Sequence, residues 1–497
     1  MFRCLVASCV LAAGLAAPIA AQQPAVPSAP QSLGLADAID LARQYNPSFR
    51  QITNDQGPAN WGVRNAYSEL LIPSLTLNGS MSYRGAGSQQ FLTQEFVQPS
   101  ATIGSGYSLN LNWRLSGATL SQPGLAKAQA HATAAAIDGA GNTLQSLVTQ
   151  QYLAVLQARA QVDLAQLQLT RNDEFLRLAQ ARFQVGQSTM LDVRQAEVAK
   201  GQSEVGLLQA RQLVLVEKLR LFQQMGIPAP DDPAVVSLTD TFPVVQPTWN
   251  MQELLAAADN DNPDVNTLRA RAAAAGSSER AAKSEWLPSL SFSAGWSGFT
   301  QQFTNGSFLV SSARQGAQSS IDECEYTNSA WLNPGATPLD CSRLALTPAD
   351  EADIRAGNSV FPFNFTSQPF SASVSLSLPI FTQFSRPLRV SQASTAADDA
   401  RESVQARRLQ VRTDVSNAFY GLEAAYETIE IQRRNRVAAQ EQLRLATERY
   451  RVGSGTFFEL LDAQLAEQRA QADYINAVYA YHRSVAALES AVGRPLR

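Results

Sequence analysis

The sequence predicts a mixed α/β membrane protein that is built as two copies of one plan. Three observations carry this prediction: a short turn that occurs twice, strands in which apolar and polar residues alternate, and very long helices with coiled-coil periodicity. Each copy predicts the same order of elements, namely a short helix, a second helix, a strand, a loop, a strand, a very long helix, a turn and a long helix.

The repeated turn reads RFQVGQSTMLDV from position 182 and RYRVGSGTFFEL from position 449. In each copy a glycine suits the left-handed position after a helix end, and the preceding arginine suits the negative end of the helix dipole. A threonine with an acidic residue three positions later predicts a capping box at the next helix. The equivalent residues are Arg182 and Arg449, Val185 and Val452, Gly186 and Gly453, Thr189 and Thr456, and Asp192 and Glu459.

The N-terminus has the pattern of a secretory signal peptide, expected over residues 1–21. A basic residue precedes an apolar run, and small residues follow through Ala21, where cleavage is expected. Residues 22–32 are Pro-rich and polar, which predicts a flexible leader. The stretch VASC ending at Cys9 resembles a lipidation box, but most of the apolar run follows Cys9, which disfavours lipidation.

The domain organisation follows from further echoes between the copies. An Asn-Pro pair at 46 returns at 262, and a Pro-Ser-Leu motif at 73 returns at 288. We expect a first repeat over 33–225, a Pro-rich connector over 226–250 and a second repeat over 251–493. Within them we expect β-hairpins at about 74–115 and 288–381, the second with a long loop at 299–370, and helical hairpins at about 118–225 and 384–492.

Four segments of about ten residues alternate between apolar and polar residues, as strands with one wet face do. Their apolar positions are Tyr107, Leu109, Leu111, Trp113 and Leu115; Leu75, Leu77, Met81 and Tyr83; Leu290, Phe292, Ala294 and Trp296; and Val374, Leu376, Leu378 and Ile380. Strands of this length span a bilayer. A soluble β-sandwich is the alternative, but four strands in two distant hairpins argue against it. Since four strands cannot close a barrel, and unpaired backbone groups in lipid are unfavourable, we expect several chains to share one barrel.

The helical segments show a coiled-coil seam, because steps of four and three between 404 and 450 select mainly apolar residues. Segments 120–184 and 386–450 each have about 65 residues, which gives about 97 Å as an α-helix. No single partner segment is as long. We therefore expect two shorter helices to stack end to end against each long one, formed by 188–225 with 48–72 and by 457–492 with 262–286.

Composition excludes several classes of function. The net charge of −4 and the pI near 5.5 give no basis for nucleic-acid binding. No zinc-ligand spacing, phosphate loop or nucleophile elbow occurs, so we expect no enzyme activity, cofactor or metal site. His482 falls in the coiled-coil register and is expected to pack or hydrogen-bond. In the long loop, Cys324 and Cys341 are expected to form a local disulfide, and the acidic residues beside Cys324 either bind cations or are simply solvated.

These features together resemble the TolC family of outer-membrane efflux proteins, the outer-membrane factors. The resemblance covers roughly residues 33–493, and it is carried by the duplicated turn, the LPSL motif before a strand and the SLSLPIF motif after one. It implies a homotrimer with a shared transmembrane β-barrel in the outer membrane, four strands per protomer, and an α-helical tunnel through the periplasm. It also implies two partners, a periplasmic adaptor protein and an inner-membrane pump of the RND, ABC or MFS type.

The resemblance gives the repeated turns a role as periplasmic tips, where the duct opens and the adaptor docks. The docking residues would be Arg182, Val185, Gly186 and Thr189 in the first tip and Arg449, Val452, Gly453 and Thr456 in the second. Acidic residues ring the entrance of similar ducts, so Glu459 and Asp462 are expected to line it; salt bridging between helices is the alternative. Helix capping is the competing role for Asp192 and Glu459.

A polar link between tip helices holds similar ducts closed, and Tyr450 and Asp192 occupy matching positions for such a link. Gly455 departs from the family pattern, because the best-known member has a basic residue there. The predicted function is a passive outer-membrane duct, and efflux and type I secretion both fit it. The alternative is a periplasmic coiled-coil scaffold without a pore, which accounts for the helices but not for the amphipathic strands.

Overall fold

The computed structural model describes residues 30–91, 94–98, 100–330, 335 and 337–496. The predicted signal peptide, Cys9 and residues 22–29 of the leader lie outside the described residues. The chain forms two compact units. Unit 1 comprises the described residues of Met1–Trp61, Lys127–Gly276 and Ser394–Arg497, and unit 2 comprises those of Gly62–Ala126 and Ser277–Ala393.

The described helices are α1 (Leu35–Tyr45), α2 (Pro47–Asn54), α3 (Gln56–Leu71), α4 (Gly117–Gln184), α5 (Met190–Met225), α6 (Met251–Asp261), α7 (Pro263–Ser284), α8 (Gly306–Ala330), α9 (Pro348–Gly357), α10 (Ser385–Arg451) and α11 (Phe457–Val492). Short 3₁₀ helices occupy Pro233–Val235 and Cys341–Leu344. The described strands are β1 (Ser32–Leu33), β2 (Ser74–Arg84), β3 (Gly87–Phe91), β4 (Gln94–Gln98), β5 (Thr102–Leu115), β6 (Ser237–Leu238), β7 (Ser289–Phe303), β8 (Thr366–Ser367) and β9 (Ser371–Ser377). Within the described chain, every helix is too short or too polar to span a bilayer.

Unit 1 buries two equivalent hydrophobic cores, one from each repeat. The first packs α1, α4 and α5 around Tyr152 and Met225. The second packs α6, α7, α10 and α11 around Leu422 and Leu488. The predicted seam residues of α10 lie in this second core, because steps of three and four keep them on one helix face; these residues are Val411, Val415, Leu422 and Ile429.

The Pro-rich connector is packed within unit 1. Its strand β6 pairs in parallel with β1. The Tyr152 hydroxyl lies 2.9 Å from both the Leu33 carbonyl oxygen and the Asp240 carboxylate, and its burial, helped by the Asp240 bond, raises the pKa of Tyr152 to about 12. The buried Lys218 ammonium donates to the Val236 carbonyl at 2.6 Å, and burial lowers its pKa. The connector is therefore held by specific buried hydrogen bonds.

Two equivalent joints connect short helices end to end, as the sequence predicts. At the first, the Asn46 side chain donates to the Gln224 carbonyl oxygen near the end of α5 at 2.7 Å and caps the first turn of α2. At the second, the Asn262 side chain donates to the Ala491 carbonyl oxygen near the end of α11 at 2.8 Å and accepts from backbone N–H groups of α7. The repeated Asn-Pro pair thus joins the end of one helix to the start of another.

A glycine ends the incoming helix at each joint in the left-handed region, with φ of 73° at Gly226 and 91° at Gly493. The end of α1 lies so close to Gly226 that a Cβ atom there would be 2.5 Å from the Tyr45 carbonyl oxygen, and the end of α6 lies so close to Gly493 that a Cβ atom there would be 2.7 Å from the Asp261 carbonyl oxygen. Only glycine satisfies both the backbone conformation and this close approach.

Unit 2 contains an antiparallel sheet in which the long strands have the order β2-β5-β7-β9. The two predicted hairpins merge into this sheet because β5 pairs with β7 over the whole length of β5, from Leu115 opposite Leu290 to Thr102 opposite Phe303. Among the described strands, β2 pairs only with β5 and β9 only with β7. Each outer strand therefore keeps one edge without a partner.

The chain between β7 and β9 is folded, which differs from the predicted long loop. Helices α8 and α9 form there, and a disulfide joins Cys324 of α8 to Cys341, with Cα atoms 5.8 Å apart. An ion pair between Arg314 and Glu351 links α8 to α9. A disulfide and an ion pair allow this insertion to hold its fold with a small core.

The last predicted strand is shorter than the alternation indicated. β9 ends at Ser377, so Leu378 and Ile380 lie beyond it. Pro379 stands between them and has no N–H for the ladder, which gives the physical reason for the early end.

Replacing Gly226 or Gly493 by alanine should destabilise unit 1, because the new Cβ meets backbone atoms and the left-handed conformation becomes strained. We expect a loss of roughly 2 kcal/mol or more in the free energy of unfolding for each change. Thermal unfolding of the purified protein in detergent, followed by circular dichroism, would show the lowered Tm.

The matched control is Gly206→Ala, in the middle of α5, where no atom lies within 4 Å of the added Cβ apart from the neighbouring residues and the local helix backbone. This change should leave the protein as stable or raise its stability by up to about 1 kcal/mol, since alanine favours helix. Equal Tm values for Gly226→Ala and Gly206→Ala would contradict the role of the joint.

Candidate functional site

One face of the unit 2 sheet is apolar across all four long strands, as the alternation predicts. The strand register places Leu111 between Leu75 and Ala294, and it places Trp113 beside Phe292. This apolar face comprises Leu75 and Leu77; Tyr107, Leu109, Leu111, Trp113 and Leu115; Leu290, Phe292, Ala294 and Trp296; and Ala372, Val374 and Leu376. On the outer strands these side chains are open to the surroundings, with Leu77 74% and Leu376 72% exposed. An apolar surface this large marks a contact with lipid or with protein.

The opposite face of the same sheet carries hydroxyl and amide groups. This hydroxyl face comprises Ser74, Thr76, Asn78, Ser80 and Ser82; Ser108, Asn110 and Asn112; Ser289, Ser291, Ser293 and Ser297; and Ser371, Ser373, Ser375 and Ser377. Cross-strand hydrogen bonds form on it, as between the Ser293 and Ser373 hydroxyls at 2.7 Å. A sheet with one apolar and one hydroxyl face has the polarity of a barrel wall between lipid and water.

The apolar face has a defined width. From Leu115 to Tyr107 it spans eight residue steps, about 26 Å along the strand, close to the apolar band of about 25 Å in outer-membrane barrels before tilt is considered. Aromatic residues mark its two margins, with Trp113 near one end and Tyr107 and Trp296 near the other. Beyond Tyr107 the same side of the sheet is mixed, with Ser105 and Thr300 beside the predicted Met81, and Gln302 in line with Ile103 and the predicted Tyr83. This apolar band therefore has the width and the aromatic borders of a membrane-spanning segment.

The insertion returns to the sheet on its apolar side, at one margin of the band. The Ser105 hydroxyl donates to the Pro362 carbonyl oxygen, and the Phe365 ring packs on Tyr107 with centroids 4.9 Å apart. The Phe370 ring packs on Trp296 at 4.6 Å. The register places Ser105, Tyr107 and Trp296 on the side of the apolar face. These described contacts of residues 361–370 all lie on the apolar side of the sheet. They therefore do not cover the hydroxyl face.

The repeated turns in unit 1 have the predicted glycine geometry, with φ of 73° at Gly186 and 83° at Gly453. Their caps differ. Thr189 and Asp192 form the complete capping box, whereas the Thr456 side chain accepts from the Glu459 N–H but the Thr456 N–H does not donate to the Glu459 carboxylate. The Glu459 carboxylate lies instead 3.4 Å from Arg449. The predicted capping box is therefore complete in the first turn and half formed in the second, because an arginine competes for the glutamate.

The equivalent arginines of the two turns have different roles. Arg182 is buried and crosses to the other turn, where its guanidinium donates to the Tyr450 and Arg451 carbonyl oxygens. It also donates to its own turn at the Gln187 carbonyl oxygen, at 3.0 Å. Arg449 is exposed and bonds only within its own turn among the described residues. Arg182 therefore fastens the two turns to each other and caps the C-terminal end of α10.

Tyr450 belongs to the small core that fills the tip between the helical hairpins. Its side chain is 3% exposed, its ring stacks with the Arg182 guanidinium at 4.8 Å, and it meets the Phe457 ring at 5.5 Å. Its hydroxyl has no hydrogen-bond partner among the described residues. The Asp192 carboxylate is occupied by the Thr189 N–H and the Ser188 hydroxyl. No described contact joins Tyr450 to Asp192 within this chain.

The two acidic residues predicted at the entrance lie in different electrostatic surroundings. Both are exposed on the first turns of α11. Arg449 offsets the charge of Glu459, whereas Asp462 forms no ion pair or side-chain hydrogen bond with any described residue. Asp462 therefore contributes the less compensated negative charge of the pair.

The tips also expose apolar side chains that the sequence analysis did not single out. Phe458 is 72% and Leu191 64% exposed, beside the predicted Val185 at 69% and Val452 at 74%. Phe458 and Leu191 occupy equivalent positions, two residues after the capping threonine. An apolar residue on the solvent side of a capped first turn was the signal that could have identified them, since polar residues normally stand there.

The remaining candidate chemistry is structural. Among the described residues, no group of three or more His, Cys, Asp or Glu side chains has the arrangement of a metal site. His482 is 2% exposed and packs against the rings of Phe242, Tyr479 and Tyr481. The candidate functional surfaces of the described chain are therefore the two-faced sheet of unit 2 and the two repeated turns of unit 1.

Comparisons with known proteins agree with this geometry. The family model described as outer membrane efflux protein matches residues 38–227 and 345–494. The chain is 25% identical over 346 residues to the outer membrane efflux protein BepC of Brucella suis, covering 68% of this chain and 62% of BepC, less than two thirds of its length. Its fold is similar to two solved outer membrane channels, CmeC of Campylobacter jejuni (TM-score 0.68, 15% identity, 92% of this chain and 85% of CmeC) and MtrE of Neisseria gonorrhoeae (TM-score 0.65, 19% identity, 93% and 89%).

Replacing Arg182 by glutamine should loosen the tip, because buried carbonyl groups of the second turn lose their donor. We expect a loss of about 2–4 kcal/mol in local stability. Hydrogen–deuterium exchange would show this as at least about tenfold faster exchange of the amides of Val452 to Gly455.

The duplicated turn supplies the matched control. Arg449→Gln removes only exposed contacts and should change local stability by about 1 kcal/mol at most. If the two variants exchanged at the same rate, Arg182 would not be the residue that fastens the turns together.

Proposed function

This chain belongs to the outer membrane efflux protein family, and from that premise we propose that it is the outer-membrane duct of a tripartite efflux system. The family places it in the outer membrane with its helices extending into the periplasm. Three copies would contribute their strands to one twelve-stranded barrel and their long helices to one tunnel. Substrates would reach the duct from an inner-membrane pump of the RND, ABC or MFS type through a periplasmic adaptor, and the duct itself would conduct passively.

The observation that carries this proposal is the four-stranded sheet with two free edges, one apolar face and one hydroxyl face. A strand edge in lipid leaves backbone N–H and C=O groups unpaired, at several kcal/mol each. Pairing the free edge of β9 with β2 of another copy would remove both edges. Efflux takes precedence over type I secretion because the family description and the name of BepC both state efflux.

A periplasmic scaffold without a pore is the competing function. It would use the long helices, but it gives no role to an apolar band of membrane width with aromatic margins. A scaffold would also leave the apolar face in water, where a patch of this size promotes association. The sheet therefore favours the duct.

At the tips, we propose that the exposed apolar residues dock the adaptor together with the turn residues around them. Val185 and Val452 protrude beside the two glycines, and the neighbouring Leu191 and Phe458 enlarge the apolar surface. Arg182 would act indirectly, by holding both turns in one arrangement.

In the closed duct, the buried Tyr450 hydroxyl is the free donor that a polar link would use, with Asp192 as its proposed acceptor.

The proposal is tested by adjacent substitutions on the exposed strand β2. Leu77→Arg places a charge on the apolar face, which should disfavour membrane insertion by about 2–4 kcal/mol and abolish assembled trimers. Asn78→Arg places the same charge on the hydroxyl face and should preserve them. Native mass spectrometry of detergent-extracted outer membranes would count the subunits, and planar bilayers would record single channels from the wild type and from Asn78→Arg.

Two results would contradict the duct. One is a wild-type protein that leaves the membranes in a detergent-free wash, as a scaffold would. The other is equal assembly of the two arginine variants, which would mean that the apolar face does not meet lipid.

We also propose that Asp462 lines the entrance, with Glu459 beside it. Asp462→Asn should weaken the cation preference of the tip or its block by polyvalent cations, because the less compensated carboxylate is removed at constant shape. Glu459→Gln should have a smaller effect, since Arg449 already offsets that charge. Single-channel recordings measure both variants, and an unchanged pore in Asp462→Asn would remove Asp462 from this role.

A further inference from the structure

One charged residue lies near one end of the apolar band of the sheet. Arg114 stands on β5 between Trp113 and Leu115, which belong to the apolar face, so it belongs to the opposite face. The register aligns it with Ser291 of β7 and through that residue with Ser375 of β9. Across the described residues of β2, β5, β7 and β9 that lie within the band, Arg114 is the single charged side chain.

The guanidinium of Arg114 is not neutralised within the described chain. Arg114 is exposed, and its side chain forms no hydrogen bond or ion pair with any described residue. The acidic Glu285, just before β7, is already paired with Arg389 at 2.7 Å. The other charged residue of these strands, Arg84, lies at the far end of β2, beyond the band, and is also a cation. The hydroxyl face is thus neutral over its length and positive at both ends.

A charge at membrane depth is tolerated where it meets water, and on a barrel strand the water lies on the side opposite to lipid. Arg114 therefore belongs in the lumen if the sheet forms a barrel wall. Rings of arginine or lysine in a pore favour anions, and a wall of serine and asparagine adds no competing charge.

We propose that Arg114 makes the barrel select for anionic solutes, such as those that carry carboxylate, sulfate or phosphate groups. This inference rests on the proposed duct, because an assembly of three copies turns one cation per chain into a ring of three. The residue acts by its field on passing solutes and requires no tight binding. The hydroxyl groups of Ser291 and Ser375 give the solute neutral hydrogen-bond partners at the same level.

The size of the effect follows from Coulomb's law in water. Three charges about 10 Å from the pore axis, with a Debye length of about 10 Å at 0.1 M salt, raise the anion concentration there about twofold and lower the cation concentration by about the same factor. The permeability ratio of anion to cation therefore changes about fourfold. At about 1 M salt the Debye length falls to about 3 Å, and the effect should disappear.

The experiment measures the reversal potential of purified channels in planar bilayers across a potassium chloride gradient. Arg114→Gln should lower the chloride-to-potassium permeability ratio about fourfold at about 0.1 M salt and leave it unchanged at about 1 M. Arg114→Lys keeps the charge and should retain the wild-type ratio. Equal ratios for the wild type and Arg114→Gln, in channels of normal conductance, would overturn the inference.

A second variant leaves Arg114 in place and guards against a folding defect. Ser375→Arg adds a second cation at the same level of the hydroxyl face and should raise the anion preference further. A Ser375→Arg channel with the wild-type ratio would also count against the inference. Channels that open normally but lack this selectivity would refute the role of Arg114 while leaving the duct intact, whereas the absence of any channel would refute the duct itself.

Discussion

The structure depends on a β-sheet whose two outer strands leave backbone N–H and C=O groups without hydrogen-bond partners in other described strands. β2 and β9 each present an edge without a partner among the described strands, while the adjoining apolar face is of membrane width. In water the apolar face is unfavourable, and in lipid the open edges are, because no solvent there can bond the N–H and C=O groups. Both penalties disappear together when copies of the chain join edge to edge. In the proposed duct, assembly and membrane insertion would therefore be one requirement.

In the helical unit, each very long helix is matched in length by two shorter helices joined end to end. The joints between these short helices are built twice from an asparagine that bonds across the gap and a glycine that permits the close approach. The asparagine satisfies a carbonyl at the end of one helix and N–H groups at the start of the next, which would otherwise be orphaned. Both repeats thus use the same asparagine and glycine to satisfy the backbone groups that helix ends leave unpaired.

Equivalent residues of the two repeated turns make different contacts. Arg182 and Arg449 occupy the same position in the repeated turn, yet one is buried across the other turn and the other is exposed. Tyr450 fills the core of the tip, whereas its equivalent Phe183 is 39% exposed. The cause is that two copies of one turn, packed side by side in one chain, have different neighbours. The tip that receives Arg182 is stabilised from outside, and the tip that donates it is not.

Local patterns alone determined the duplicated plan, the faces of the strands and the long helices, because periods of two and of three and four depend only on which side of an element is buried. The glycines and Asn-Pro pairs likewise marked the joints, since special backbone positions restrict residue type. Only the tertiary structure decided how the two hairpins merge through β5 and β7, where the insertion folds, and which arginine fastens the tips. These features arise from contacts between residues far apart in the chain, such as Arg182 and Tyr450 or Ser105 and Pro362, whose pairing no local period encodes.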